Sequence, residues 1–150
     1  MDIYNYLKID ERISTSGQPK AEDFSGIAGQ GFQTVINLAL PTSDHAIPDE
    51  GSIVTRTGMN YVHIPVVWEA PRTEQFRKFA DVVRHNENEK IWVHCVANMR
   101  VSCFMYLYHR KVKGMPEAEA RALMNRIWDP GAFEQWNRFV EDVNPDVPGI

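Results

Sequence analysis

Residues 91–102, Ile-Trp-Val-His-Cys-Val-Ala-Asn-Met-Arg-Val-Ser, constrain this chain more than any other stretch. A short apolar strand delivers His94 and Cys95 into a tight turn, and Arg100 and Ser102 follow at the start of a helix. Such a junction is a ready anion site. The unpaired N–H groups of the first helical turn and the positive end of the helix dipole converge on one point. A cysteine held there is drawn toward the thiolate, which is the nucleophilic form. Arg100 stands close enough in sequence to grip an oxyanion beside it.

The rest of the chain supplies a fold for that junction. Arg12–Thr15 reads as a short edge strand, ended by Ser16-Gly17-Gln18-Pro19, with Pro19 suited to the first position of a helix. Phe24, Ile27 and Ala28 fall at helical spacing, and Gly31 is the expected stop. Thr34–Leu40 is nearly continuous apolar sequence, as in a strand buried on both faces. A loop, Pro41–Pro48, precedes a weak helix over Asp49–Thr57 that ends near Gly58. Tyr61–Val66 is the next strand, with Pro65 marking its end. Thr73 can cap a helix with Phe76, Phe79, Ala80 and Val83 on its inner face. After Ile91–His94 comes a helix through Phe104 and Leu107, stopped by Gly114. Pro116 opens another to about Ile127, and a last helix holds Phe133, Trp136, Phe139 and Val140. Alternating strands and helices predict a central, mainly parallel sheet covered on both faces, a three-layer α/β sandwich. Ligands in such sheets sit beyond the carboxyl ends of the strands, where Cys95 falls.

Bulk properties narrow the function classes. The 150 residues suit one domain over 1–150, large enough to bury about 70% of the surface its unfolded form exposes. The two cysteines, Cys95 and Cys103, suit neither a zinc cluster nor a disulfide framework, and this usage fits a reducing compartment. The formal charge of −4, with no Lys/Arg cluster, argues against nucleic acid as a partner. No apolar run reaches membrane-spanning length, and Met1–Tyr6 lacks the regions of a signal peptide, so the expected location is cytoplasmic. His45, His63, His85 and His109 show no metal-ligand spacing.

The strand–His–Cys–turn–Arg–helix order resembles the cysteine-dependent protein tyrosine and dual-specificity phosphatase superfamily. Arg12-Ile-Ser-Thr-Ser-Gly-Gln-Pro19, Gly31–Leu38 and Tyr61–Pro65 are similar, more narrowly, to the bacterial phosphatase-like domain of beta-lactamase-hydrolase-like proteins. The resemblance covers roughly residues 10–110. It implies the phosphatase fold and a metal-free, cofactor-free hydrolysis of phosphate monoesters. In that reaction Cys95 attacks phosphorus, and the amides of Val96, Ala97, Asn98, Met99 and Arg100 hold the oxygens with the Arg100 guanidinium. The substrate is then a phosphorylated protein or a small phosphomonoester.

Two departures accompany the resemblance. The family pattern has one residue more between cysteine and arginine, where this chain has only Val96, Ala97, Asn98 and Met99. Either the loop is a residue shorter, or Arg100 has moved one place and Val101 fills the arginine position; one helical position is a rotation of about 100°. Ala97-Asn98 stands in place of Ala-Gly, Asn being the next-best residue for a left-handed turn. The family also places an Asp just after the Ile-Pro strand, as general acid, where this chain has Val67. Glu69 is the nearest carboxylate and Asp44 the next candidate. His94 is expected to orient the loop and Ser102 to donate to the cysteine sulfur. Gln18 either lines the pocket or stabilises its turn, while Cys103, Trp128 and Trp136 are expected in the core. Two rivals stay open: a rhodanese-like sulfurtransferase carrying a Cys95 persulfide, and a phosphate-binding pseudophosphatase.

Overall fold

The strands that carry the junction are buried because nothing polar interrupts them: Val35, Ile36, Ile91, Trp92 and Val93 are inaccessible to solvent. A computed structural model describes residues 2–143; Met1 and 144–150, the ends of the expected domain, lie outside the described residues. The elements run β1 (Leu7–Lys8), β2 (Ile13–Ser16), α1 (Asp23–Gly29), β3 (Phe32–Asn37), α2 (Glu50–Arg56), β4 (Asn60–His63), α3 (Thr73–His85), β5 (Lys90–His94), α4 (Met99–Lys111), α5 (Glu117–Asn125), a 3₁₀ turn (Pro130–Ala132) and α6 (Glu134–Val143).

The five strands form one sheet in the order β1-β2-β5-β3-β4, parallel throughout except for β1. This is the expected three-layer α/β architecture. A smaller core joins α1 and α2 to one face through Phe24, Ile27, Val54 and Trp92. The larger core packs α3, α4, α5 and α6 on the other. Within it α4 is buried on nearly every side from Arg100 to His109. A helix apolar all round is a core helix, so its first turn is fixed from several directions. Among the described residues no helix is long and apolar enough to cross a membrane.

Several local expectations shift. The strand expected at the edge, Arg12–Thr15, lies one place inside, because Leu7–Lys8 pairs antiparallel with it and takes the edge. A two-residue strand carries no alternation for a sequence reading to find. Pro19 does not open a helix; α1 starts at Asp23, since the Gln18 amide is engaged by the Val96 carbonyl at 2.9 Å and holds the segment extended. Arg72, not Thr73, takes the cap position of α3, where Gln75 Oε1 accepts from the Arg72 amide at 2.9 Å. Phe133 falls before α6 and is exposed. The glycine stops hold: Gly31, Gly58 and Gly114 all take positive φ just past a helix.

Phe104 on α4 is fully buried and packs its ring against Phe76, Phe79, Trp136 and Phe139, which tie three helices together. Phe104→Ala should therefore lower stability by about 3–5 kcal/mol. Urea unfolding followed by tryptophan fluorescence checks this.

Candidate active site

β2, β3 and β5 end level with one another: Ser16 and Asn37 both stand opposite His94 in the parallel register. The chain leaves the sheet at Cys95 and re-forms a helix at Met99, with Asn98 left-handed at φ 66°. That turn is held from outside by its carbonyls. The Cys95 carbonyl accepts from His94 Nδ1 at 3.2 Å, Val96 from the Gln18 amide at 2.9 Å, and Ala97 from Asn5 Nδ2 at 3.0 Å. The Asn98 carbonyl accepts from the Ser102 amide at 2.9 Å, and the Met99 carbonyl from Ser102 Oγ at 2.8 Å and Trp128 Nε1 at 3.1 Å. Among the described residues, no backbone N–H from Val96 to Arg100 donates to another group of the protein. With every carbonyl turned outward, those amides face the space inside the turn, a fixed set of donors for an anion.

Arg100 completes the arrangement. Its Nη1 donates to the Val66 carbonyl at 2.8 Å, and its side chain lines a cavity of about 410 Å³ together with Cys95, Val96, Ala97 and Met99. Val101 is sealed in the larger core. Of the two alternatives, the geometry is the shorter loop, with Arg100 on the cavity. Asn98 meets the demand for a left-handed residue and adds anchors, its Nδ2 donating to the Asn5 carbonyl at 2.9 Å and Thr15 Oγ1 at 3.0 Å. Asp44 and Glu69 both lie on the cavity wall. Beside Glu69, Trp68 packs against Trp128, Phe133 and Trp136, and its carbonyl accepts from Trp136 Nε1 at 2.9 Å. The C-terminal tryptophans thus do more than fill the core: they hold the rim of the site.

Ser102 is placed differently from the sequence expectation. Its single proton goes to the Met99 carbonyl, and its oxygen accepts from Trp128 Nε1 at 2.9 Å, so it ties down the helix start and does not donate to Cys95. Cys103 is fully buried, and burial pushes its thiol up; both cysteines are free.

Sequence reasoning missed Glu50. This buried carboxylate on α2 meets His94 Nε2 at 2.7 Å through Oε2 and accepts from Gln18 Nε2 at 2.7 Å through Oε1. Burial alone would push Glu50 up. The hydrogen bond and charge of His94, with bonds from Gln18 and Tyr61, outweigh it and hold the carboxyl below its ordinary range. Tyr61 responds in turn: burial, and the Glu50 charge, push its phenol up to about 12 against the opposing bond from Asn37. The two ring nitrogens of His94 thus face two acceptors, the Cys95 carbonyl and the Glu50 carboxylate. A signal for Glu50 was present: Glu50 and Val54 stand one helical turn apart, on the inward face of α2.

Comparison with known proteins gives the family. A family model described as "DSP-PTPase phosphatase fused to NAD+ Kinase" matches residues 5–141. The chain belongs to this phosphatase family. It is 27% identical over 149 residues to the beta-lactamase hydrolase-like protein of Xylella fastidiosa strain Temecula1, covering 96% of this chain and 34% of that protein. The chain thus spans about a third of the length of that curated relative. Among solved structures, the DUF442 protein of Shewanella putrefaciens CN-32 superimposes with a TM-score of 0.83 at 32% identity, covering 94% of this chain and 89% of the other. The core catalytic domain of the PP-IP phosphatase SIW14 from S. cerevisiae, at 18% identity, shares the fold with a TM-score of 0.78 over 97% of this chain and 89% of its own.

Two measurements test the scaffold. A Cβ at Gly17 would meet the Val96 carbonyl oxygen at 2.5 Å and Tyr4 Cδ2 at 2.7 Å, so Gly17→Ala should displace the turn and weaken sulfate binding while the far core stays intact. Glu50, held below its ordinary value of 4.5, contributes stability above that pH, and the contribution is lost as the pH falls through its folded value. The stability gap between wild type and Glu50→Gln should therefore be widest above pH 4.5 and narrow as the pH falls below it, as read from urea midpoints across the range.

Proposed function

We propose that this chain is a cysteine-dependent phosphatase that hydrolyses phosphate monoesters through a cysteinyl-phosphate intermediate. The observation that carries the reading is the set of unengaged amides from Val96 to Arg100 around Cys95, with Arg100 on the same cavity. Cys95 Sγ attacks phosphorus as the thiolate; an S–P bond forms and the P–O bond to the leaving group breaks. The loop amides and the Arg100 fork hold the equatorial oxygens, stabilising charge where it develops. Glu69 gives its proton to the departing oxygen. Water then attacks phosphorus, the S–P bond breaks, and inorganic phosphate leaves with the thiolate restored. His94, braced by Glu50, keeps the Cys95 carbonyl turned away from the anion. The substrate is a phosphorylated protein or a small phosphomonoester, and the NAD+ kinase in the family's description favours the small molecule.

The test is turnover of a generic aryl phosphate beside a thiosulfate:cyanide assay. Cys95→Ser should abolish phosphate release. Arg100→Lys should reduce it substantially, because a point charge replaces a planar fork already anchored on Val66. Glu69→Gln should slow it by roughly 10²–10⁴-fold, least for leaving groups that are already stable anions. An unchanged rate would pass the acid role to Asp44. Sulfur transfer without phosphate release, or anion binding without either, would replace the phosphatase reading with the sulfurtransferase or the pseudophosphatase. Iodoacetamide should modify Cys95, be slowed there by phosphate, and spare Cys103.

A further inference from the structure

A second, larger cavity of about 650 Å³ adjoins the first, and the two share Asp44, Val96 and Ala97 on their walls. The leaving group of a phosphate held at Cys95 therefore has this adjoining space within reach past Asp44, Val96 and Ala97. Its volume lies within the range of small-molecule sites.

We infer that this second cavity is a leaving-group subsite for a nucleoside, so that the substrate is a nucleotide phosphomonoester. The inference rests on the phosphatase reading. The Tyr4 ring is the first observation behind it. It is 63% exposed, yet its backbone is anchored: its carbonyl accepts from the Gly17 amide at 2.7 Å, and the ring edge lies so close over Gly17 that a Cβ there would meet it. The neighbouring Asn5, at φ 50°, exchanges hydrogen bonds with Ala97 and Asn98 and locks the segment onto the phosphate loop. An exposed aromatic face held rigidly beside a cavity is a stacking platform for a planar group. Pro19 and Ile47 supply apolar wall around it.

The polar groups fit the same ligand. Gln18 Nε2 is committed to Glu50 and to the Pro19 carbonyl, which leaves the amide oxygen as the side chain's acceptor for an exocyclic amine. Lys20 takes part in no salt bridge among the described residues and offers positive charge for a ribose hydroxyl or a second phosphate, with the His45 ring on the same wall. One lysine, offset by Asp44, is too little positive charge for a densely phosphorylated polyol. A mixed wall of one aromatic face, two apolar side chains and a few polar groups is what a nucleoside requires.

Comparing adenosine 5′-phosphate with ribose 5-phosphate tests this, because the ester is the same and only the base differs. Wild type should favour the nucleotide in kcat/KM by tenfold or more, mostly through KM. Tyr4→Ala should reduce that ratio roughly tenfold. A wild-type ratio near one, a ratio unmoved by Tyr4→Ala, or a phosphotyrosine peptide preferred over both would overturn the subsite. Calorimetric binding of adenosine 5′-phosphate and ribose 5-phosphate to Cys95→Ser reads the subsite without turnover. Preferential nucleotide binding that Tyr4→Ala removes supports it even if Cys95-dependent hydrolysis is absent, and equal binding overturns it. Failure of the phosphatase reading is thereby kept separate from failure of this inference.

Discussion

His94 Nε2 and Glu50 Oε2 lie 2.7 Å apart, both buried, where β5 meets α2. Much of the remaining site is arranged around that contact. His94 uses its other nitrogen to hold the Cys95 carbonyl, while Glu50 uses its other oxygen to hold Gln18, whose amide in turn takes the Val96 carbonyl. One buried contact thus fixes two successive carbonyls of the turn from opposite sides. Removing one partner of a buried hydrogen bond leaves the other unsatisfied and costs about 1–3 kcal/mol, more where the group left behind is a carboxylate. The pair is accordingly more restrictive than its net contribution to stability would suggest.

The consequence is a backbone whose polarity has been sorted. Donors occupy every carbonyl from Cys95 to Met99, drawn from the N-terminal segment, the β2 turn, His94 at the end of β5, α4 itself and Trp128. The amides are left as an unpaired inward set, costly in an empty interior and favourable around an anion. Rigid donors of this kind need no reorganisation when charge develops on a transferring phosphoryl group. The shortened loop does not break this logic. Asn98 supplies the left-handed turn that glycine provides elsewhere and converts its side chain into two further anchors. Arg100 is brought to the cavity by the segment after β4, where the Val66 amide is tied to Leu38 and its carbonyl receives the guanidinium.

The rim has its own support. Glu69 sits in an exposed loop, yet the adjoining Trp68 is clasped by Trp128 and Phe133 from the connection between α5 and α6 and by Trp136 of α6 itself. Trp128 reaches from the same connection to the first turn of α4. The C-terminal region thereby couples the Glu69 loop to the Cys95 turn through a single packed cluster.

The sequence by itself determined the alternation of strands and helices, the apolar strands buried in the sheet, the glycine stops and the Cys95 turn between β5 and α4. These are local patterns, set by side-chain period and backbone preference within a few residues. Tertiary structure alone decided the rest. It chose Arg100 over Val101 for the cavity, committed the Ser102 hydroxyl to the helix, and put Leu7–Lys8 at the sheet edge. It also brought Glu50 to His94 across 44 residues and Asn5 to Ala97 across 92. No periodicity encodes a hydrogen bond between groups so far apart. Which donor meets which carbonyl depends on where the sheet and its layers carry each element, and that is fixed only once the whole chain has packed.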